Sequence, residues 1–300
     1  MRKRVAYITF PEKNGLDAGN FALQKKLAGL NIRFGVQIYL QSGVSSQASI
    51  DVYNLNRDDL EFLSTTVKTL AQKQNLIQLY AGYSDDVGLL FSGQVFEAKP
   101  EGYPDVVLKI RGLSDMKWQG VNLELQKSDF KVIDLIDRAG KEMGYPVNID
   151  SNLRANNQLL NKSIKDWSFT GSPMELLEKV QEMLGGISAD PQMVAVNVNN
   201  GQINVWSPSV QNQERKLVIS KETGMIGLPR PTGTGCSVTI LMSNRVKPGD
   251  LVSVKSERVK ILNGDYYVMG ITHEGELRGK SWYSTLELAN VSNFKSNANG

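Results

Sequence analysis

Nearly all the apolar stretches of this chain are short, rich in β-branched and aromatic residues, and closed by Gly, Asn, Asp or Pro. Runs of that kind suit strands rather than long packed helices. In the first segment, 1–117, they are 32–40 (IRFGVQIYL), 49–55, 76–83, 88–99 and 106–113. One helix is expected among them, 57–71. Asn56 can cap it, Asp58 and Asp59 suit the positive end of its dipole, and Leu60, Leu63, Val67 and Leu70 share a face. The opening MRKRVAYITFPEKNG is basic, and its short apolar patch is broken by Thr9 and Pro11. It lacks the core and cleavage site of a signal peptide, and no apolar run is long enough to span a membrane. The expectation is a chain made in, and retained by, the cytoplasm of its host cell.

The middle segment, 118–213, changes character. A strand at 121–125 precedes a helix at 129–143 that Ser128 would cap, with Val132, Ile136, Ala139 and Met143 as its stripe and Gly144 as its end. Strands follow at 146–149 and 164–170. The second helix has Ser172 as N-cap, Pro173 in its first position and Glu175 closing a capping box. Leu176, Leu177, Val180 and Leu184 form its core face, and Gly185-Gly186 stops it. Strands at 193–198 and 202–206 are joined by Asn199-Asn200-Gly201, a hairpin signal. The order β-α-β-β-α-β-β is that of a compact α+β unit.

The third segment, 214–292, returns to strands, at 216–220, 235–241, 251–255, 264–273 and 282–290. A flexible tail, 293–300, ends the chain. Residues 41–48 and 152–162 read as mobile loops.

Composition excludes most chemistry. One cysteine, Cys236, allows no intrachain disulfide, and with one histidine, His273, it cannot fill a zinc site of about four ligands. Any nucleophilic triad would have to run through His273. The net charge of +3, from 34 basic and 31 acidic residues, is too balanced to signal nucleic-acid binding. Asp58-Asp59 and Asp85-Asp86 sit at a helix start and in a turn, where structure explains them. GTGCSVT at 233–239 lacks the lysine of a phosphate loop and leads into a strand. NVNNGQ lacks the carboxylates of a calcium loop. No catalytic, cofactor-binding or metal-binding residue is expected. Cys236 reads as a packing residue. His273, beside Glu274 and Glu276, reads as an edge-strand residue at an assembly surface, with acidic neighbours that would raise its pKa.

Residues 224–235 (GMIGLPRPTGTG) hold two prolines and four glycines in twelve residues. They fix an extended, turning, non-helical stretch, suited to a rigid hairpin or a connector at an interface.

Read on from this stretch, the sequence resembles the C-terminal part of baseplate hub proteins of contractile-tailed bacteriophages. The pattern is carried by Gly227 to Pro229, Leu241 to Asn244 and the Pro248-Gly249-Asp250 turn. Gly264, Tyr266 and Val268, then His273 to Glu276, and Trp282 opening the last strand, complete it. SIDVYNL, IQLYAGY and LLFSGQV in the first segment are similar to the hub and tail-tube pattern, and the middle unit is similar to small α+β domains of hubs and secretins. The resemblance implies an α+β, mainly β chain, with two tail-tube-like β-barrel domains flanking a small α+β domain. It implies a homotrimer whose six barrels match a hexameric tail tube and dock on a central spike. Other baseplate and tape-measure proteins would be further partners, in the virion tail, and DNA would pass through without sequence-specific binding. Gly227, Pro229, Asn244, Pro248, Gly249, Asp250, Gly264, Tyr266, His273 and Trp282 become the signature and interface candidates, with no cofactor and no enzymatic activity. Two other readings stand beside it. A tail-associated peptidoglycan hydrolase would need a carboxylate pair or a zinc site. A secretin-like or adaptor module would rest on 118–210.

Overall fold

The computed structural model describes residues 2–13, 21–40, 46–61, 76–102, 106–114, 122–185, 193–199, 201–208 and 216–291. The chain is α+β and mainly β, as expected.

The first segment contributes seven strands: β1 (Arg4–Lys13), β2 (Phe21–Leu27), β3 (Asn31–Tyr39), β4 (Gln47–Tyr53), β5 (Leu76–Tyr83), β6 (Asp86–Glu101) and β7 (Val107–Leu113). The first two are absent from the sequence reading. Thr9 is a good strand former, and Pro11 sits where the β1–β2 register shifts, a place where a missing N–H costs little. Alternation is strict in β3 and β4: Ile32, Phe34, Val36 and Ile38, then Ala48, Ile50 and Val52, point into the core. Asn56 caps a helical turn as read, its Oδ1 accepting the Asp59 N–H at 2.7 Å. Beyond Glu61 the expected helix lies outside the described residues, as does 41–45 of the first expected loop; Gln47 already belongs to β4.

The middle segment runs β8 (Leu123–Lys131), α1 (Val132–Met143), β9 (Val147–Ile149), α2 (Ser151–Asn156), β10 (Ser163–Gly171), α3 (Pro173–Met183), β11 (Ala195–Asn199) and β12 (Gln202–Trp206). Two details correct the sequence reading. Ser128 does not cap α1. Pairing with β10 extends β8 to Lys131, and Asp134 then accepts the Lys131 N–H at 3.1 Å. The predicted loop at 152–162 contains a short helix. Asp150 caps it through the N–H groups of Asn152 and Leu153, and Leu153 and Leu160 anchor the stretch in the core. The second helix starts as read, with Ser172 and Glu175 bonded reciprocally. Both helical stripes, Val132, Ile136, Ala139 and Met143 with Leu176, Leu177, Val180 and Leu184, are buried together.

The last segment adds β13 (Leu217–Ile219), β14 (Met225–Pro231), β15 (Gly235–Leu241), β16 (Leu251–Val254), β17 (Gly264–Glu276) and β18 (Trp282–Asn290). The Pro/Gly-rich stretch is the outer arm of a hairpin: β14 pairs with β15, and Gly227, Leu228 and Pro229 bulge opposite Val238.

One antiparallel path, β14-β15-β18-β17-β3-β4-β7-β6-β5-β1-β2, runs through both terminal segments. The joint is β17. One edge follows β18 from Tyr266 to Gly275; the other pairs first with β16 and then, from Gly270 to Glu276, with β3. Each segment has its own apolar cluster. A fourth, built from Leu40, Ala195, Trp206, Leu251, Tyr267 and others, lies where the three meet.

Candidate assembly surface

Five of the ten signature residues are buried within the single chain: Pro229, Gly249, Tyr266, His273 and Trp282. Asn244, Pro248, Asp250 and Gly264 are half-buried, and Gly227 is exposed at φ +73°.

Several of these residues clasp the segments to one another. Trp282 leaves the last segment to enter the first segment's cluster, edge-on to Phe34 at 5.6 Å between ring centres. Arg4 lies over its ring at 5.5 Å and donates to the carbonyls of Glu276 at 3.1 Å and Gly279 at 2.7 Å, so β1 holds the β17–β18 turn. The Leu241 to Asn244 turn inserts Met242 into the same cluster. Asn244 lies against Gly88, where a side chain would displace it, and Arg245 pairs with Asp86 at 2.9 Å. The Pro248-Gly249-Asp250 turn is closed by Asp250 Oδ2, which accepts the Lys247 N–H at 2.7 Å. It receives the middle segment's Trp206, whose indole N–H donates to the Gly249 carbonyl at 2.7 Å.

Tyr266 donates to the Leu262 carbonyl at 2.9 Å, and its burial beside Cys236 pushes its pKa up to about 12. Cys236 is fully buried, as expected of a packing residue. His273 departs from the sequence reading. It lies on a central strand, flanked by β18 and β3, with 2% of its surface exposed. Its Nδ1 is 2.8 Å from Ser284 Oγ. Burial pushes its pKa down to about 4, because the charged ring has lost its water; Glu274 and Glu276 do not raise it.

Outside these clasps the long sheet keeps one polar face. Across β17, β3, β4 and β7 it forms a trough of about 610 Å³ lined by Arg33, Gln37, Ser49, Asp51, Arg111 and Glu274, among others. Its charges are largely paired: Arg33 with Glu276 at 3.3 Å, Arg111 with Asp51 at 3.9 Å and with the Ser49 hydroxyl. At the end of the path, β14 exposes Ile226 and Leu228, and β15 exposes Leu241. Sequence alone does not single out Arg4, Phe34, Gly88 or Trp206. Only the aromatic residues carried a local signal, as apolar residues in phase with their strands.

A family model described as "Baseplate hub gp41" matches residues 17–288. The chain belongs to the baseplate hub family. Solved structures show the same fold at low identity. A 43 kDa tail protein of prophage MuSo2 from Shewanella oneidensis has a TM-score of 0.60 at 11% identity, covering 98% of this chain and 100% of that one. A tail protein from Neisseria meningitidis MC58 also reaches 0.60, at 7% identity, with 98% and 100% covered. The E. coli c3393 protein, a type VI secretion component with structural similarity to T4 tail proteins gp27 and gp5, gives 0.55 at 10% identity, covering 89% and 75%. No curated protein matches this sequence.

Proposed function

We propose that this chain is the structural hub of a phage tail baseplate. Three copies form a ring that joins the hexameric tail tube to the central spike and lines the path of the DNA. The domains are 1–117 and 214–292, each a tube-like barrel, with 118–213 set between them. The observation that carries this reading is the antiparallel path that crosses both terminal segments and ends on two strands, β14 from one and β2 from the other. Neither has an outer partner among the described residues. Head-to-tail pairing of such ends closes a ring and hides the edges. The exposed Ile226 and Leu228 on β14 give that contact an apolar component. The polar trough, with its charges paired, suits a wall past which phosphates slide without being held. The role is structural, without catalysis. His273 and Ser284 are both buried, and no carboxylate orients the ring among the described residues.

Light scattering on the pure chain, alone and with its spike partner, tests this reading. A trimeric mass under either condition supports it, and a monomer under both removes it.

A further inference from the structure

Where the three segments meet, a crevice of about 240 Å³ carries a hydrogen-bond network whose direction is fixed from one end. Asn197 gives its Nδ2 hydrogens to two backbone carbonyls, those of Tyr39 at 3.2 Å and Leu40 at 3.1 Å. Carbonyls only accept, so this amide cannot be turned over. Its oxygen therefore faces the other way and takes Asn204 Nδ2 at 3.1 Å. Asn204 Oδ1 must then accept as well, and it receives Asn148 Nδ2 at 3.0 Å and Gln202 Nε2 at 2.8 Å. Each amide is oriented by the one ahead of it.

The open end of this relay presents oxygen. Among the described residues, no donor reaches Asn148 Oδ1 or Gln202 Oε1. Asn199, in the same lining, has a buried Oδ1 with no hydrogen-bond partner. Acceptors left without a protein donor at the mouth of the crevice favour a group that brings N–H. Another part of its wall is apolar, with Leu40, Leu89, Trp206 and Pro248, and suits an aliphatic stem. Asp250 adds a carboxylate to the lining, and Lys247 is exposed at the rim.

We propose that this crevice is a socket for an arginine side chain of a partner protein. The methylenes lie along the apolar wall, and the guanidinium donates to the amide oxygens of Asn148 and Gln202. Arginine fits better than lysine because its five donors, fixed in one plane, can reach acceptors that stand apart. That the arginine arrives on a protein rests on the hub assembly proposed above; the chemistry of the socket does not.

The test is calorimetric titration of the full chain with a five-residue glycine peptide carrying a central arginine, then citrulline, then norleucine. Agmatine, a free alkyl guanidinium, forms a further arm. The arginine peptide should bind saturably, at least about tenfold more tightly than the citrulline peptide, as expected when charged hydrogen bonds are lost. It should also bind more tightly than agmatine. The double variant Asn148→Ala/Gln202→Ala should weaken it by a similar factor with an unchanged melt. No saturable binding of the arginine peptide, equal binding of the norleucine peptide, agmatine binding as tightly as the peptide, or a double variant that binds like the parent would each overturn the proposal. Ring formation is scored separately, so a failed socket leaves the hub reading to its own test.

Discussion

A Cβ on Gly249 would stand 2.5 Å from Cδ1 of Trp206, the same indole whose N–H donates to the Gly249 carbonyl at 2.7 Å. Gly249 also sits at φ +92°, a conformation that side chains resist. The signature turn of the last segment is thus shaped to receive an aromatic residue of the middle one. Gly249→Ala should cost about 1–3 kcal/mol through overpacking and backbone strain together. Urea unfolding would measure it, and a shift below about half a kcal/mol would show that the turn relaxes freely.

Trp282 couples the terminal segments in the same way. Trp282→Ala should cost about 3–5 kcal/mol, because it opens a cavity beside Phe34 in the first segment's cluster. Trp282→Phe should cost clearly less, since the indole N–H is buried without a hydrogen-bond partner and its removal forfeits no bond. Thermal melts of the two variants side by side give the order.

Acid should loosen the chain through His273. Its folded pKa is about 4, against about 6.5 for a solvated ring, so the unfolded chain takes up the proton first. The stability held by the neutral ring is complete above pH 6.5 and falls as pH drops toward 4, by about 2 kcal/mol at pH 5. Chemical denaturation at pH 7 and pH 5 reads this out. His273→Gln, which does not titrate, should lose most of the slope.

The capping box can be tested directly. Ser172 Oγ accepts the Glu175 N–H at 3.2 Å, and the Glu175 carboxylate accepts the Ser172 N–H at 2.6 Å, which holds that carboxyl below its usual range. Ser172→Ala should cost about 1 kcal/mol. Leu176→Asp, one turn along on the fully buried face, should cost several kcal/mol by stranding a charge in the core. A melt unmoved by the second substitution would mean that the core face of α3 lies elsewhere.

These cases show what could be read from the chain. Features set within a few residues were legible: Ser172, Pro173 and Glu175 start α3, Gly144 ends α1 in the left-handed region, and Asn56 caps its turn. Features set by a distant partner were not. The start of α1 moved from Ser128 to Lys131 because β10 extends β8. His273 looked like an edge residue because nothing local reveals that β3 pairs with β17. The family pattern named Gly249 and Trp282, yet the reason for each lies in Trp206 and Phe34, 43 and about 250 residues away in sequence.

The apolar edge strand gives the assembly its own prediction. Ile226→Lys/Leu228→Lys places two charges on an exposed edge, so the folded chain should melt as before while its association weakens. Sedimentation of variant and parent at matched concentration would show it. Equal association would place the contact elsewhere.

The central claim is a ring, and the most direct measurement is electron imaging of the assembled protein viewed along its axis. The account predicts three-fold symmetry, six barrels around the centre, and a hole of roughly 20 Å or more, wide enough for a DNA duplex. A monomeric particle, or a ring without three-fold symmetry, would contradict it.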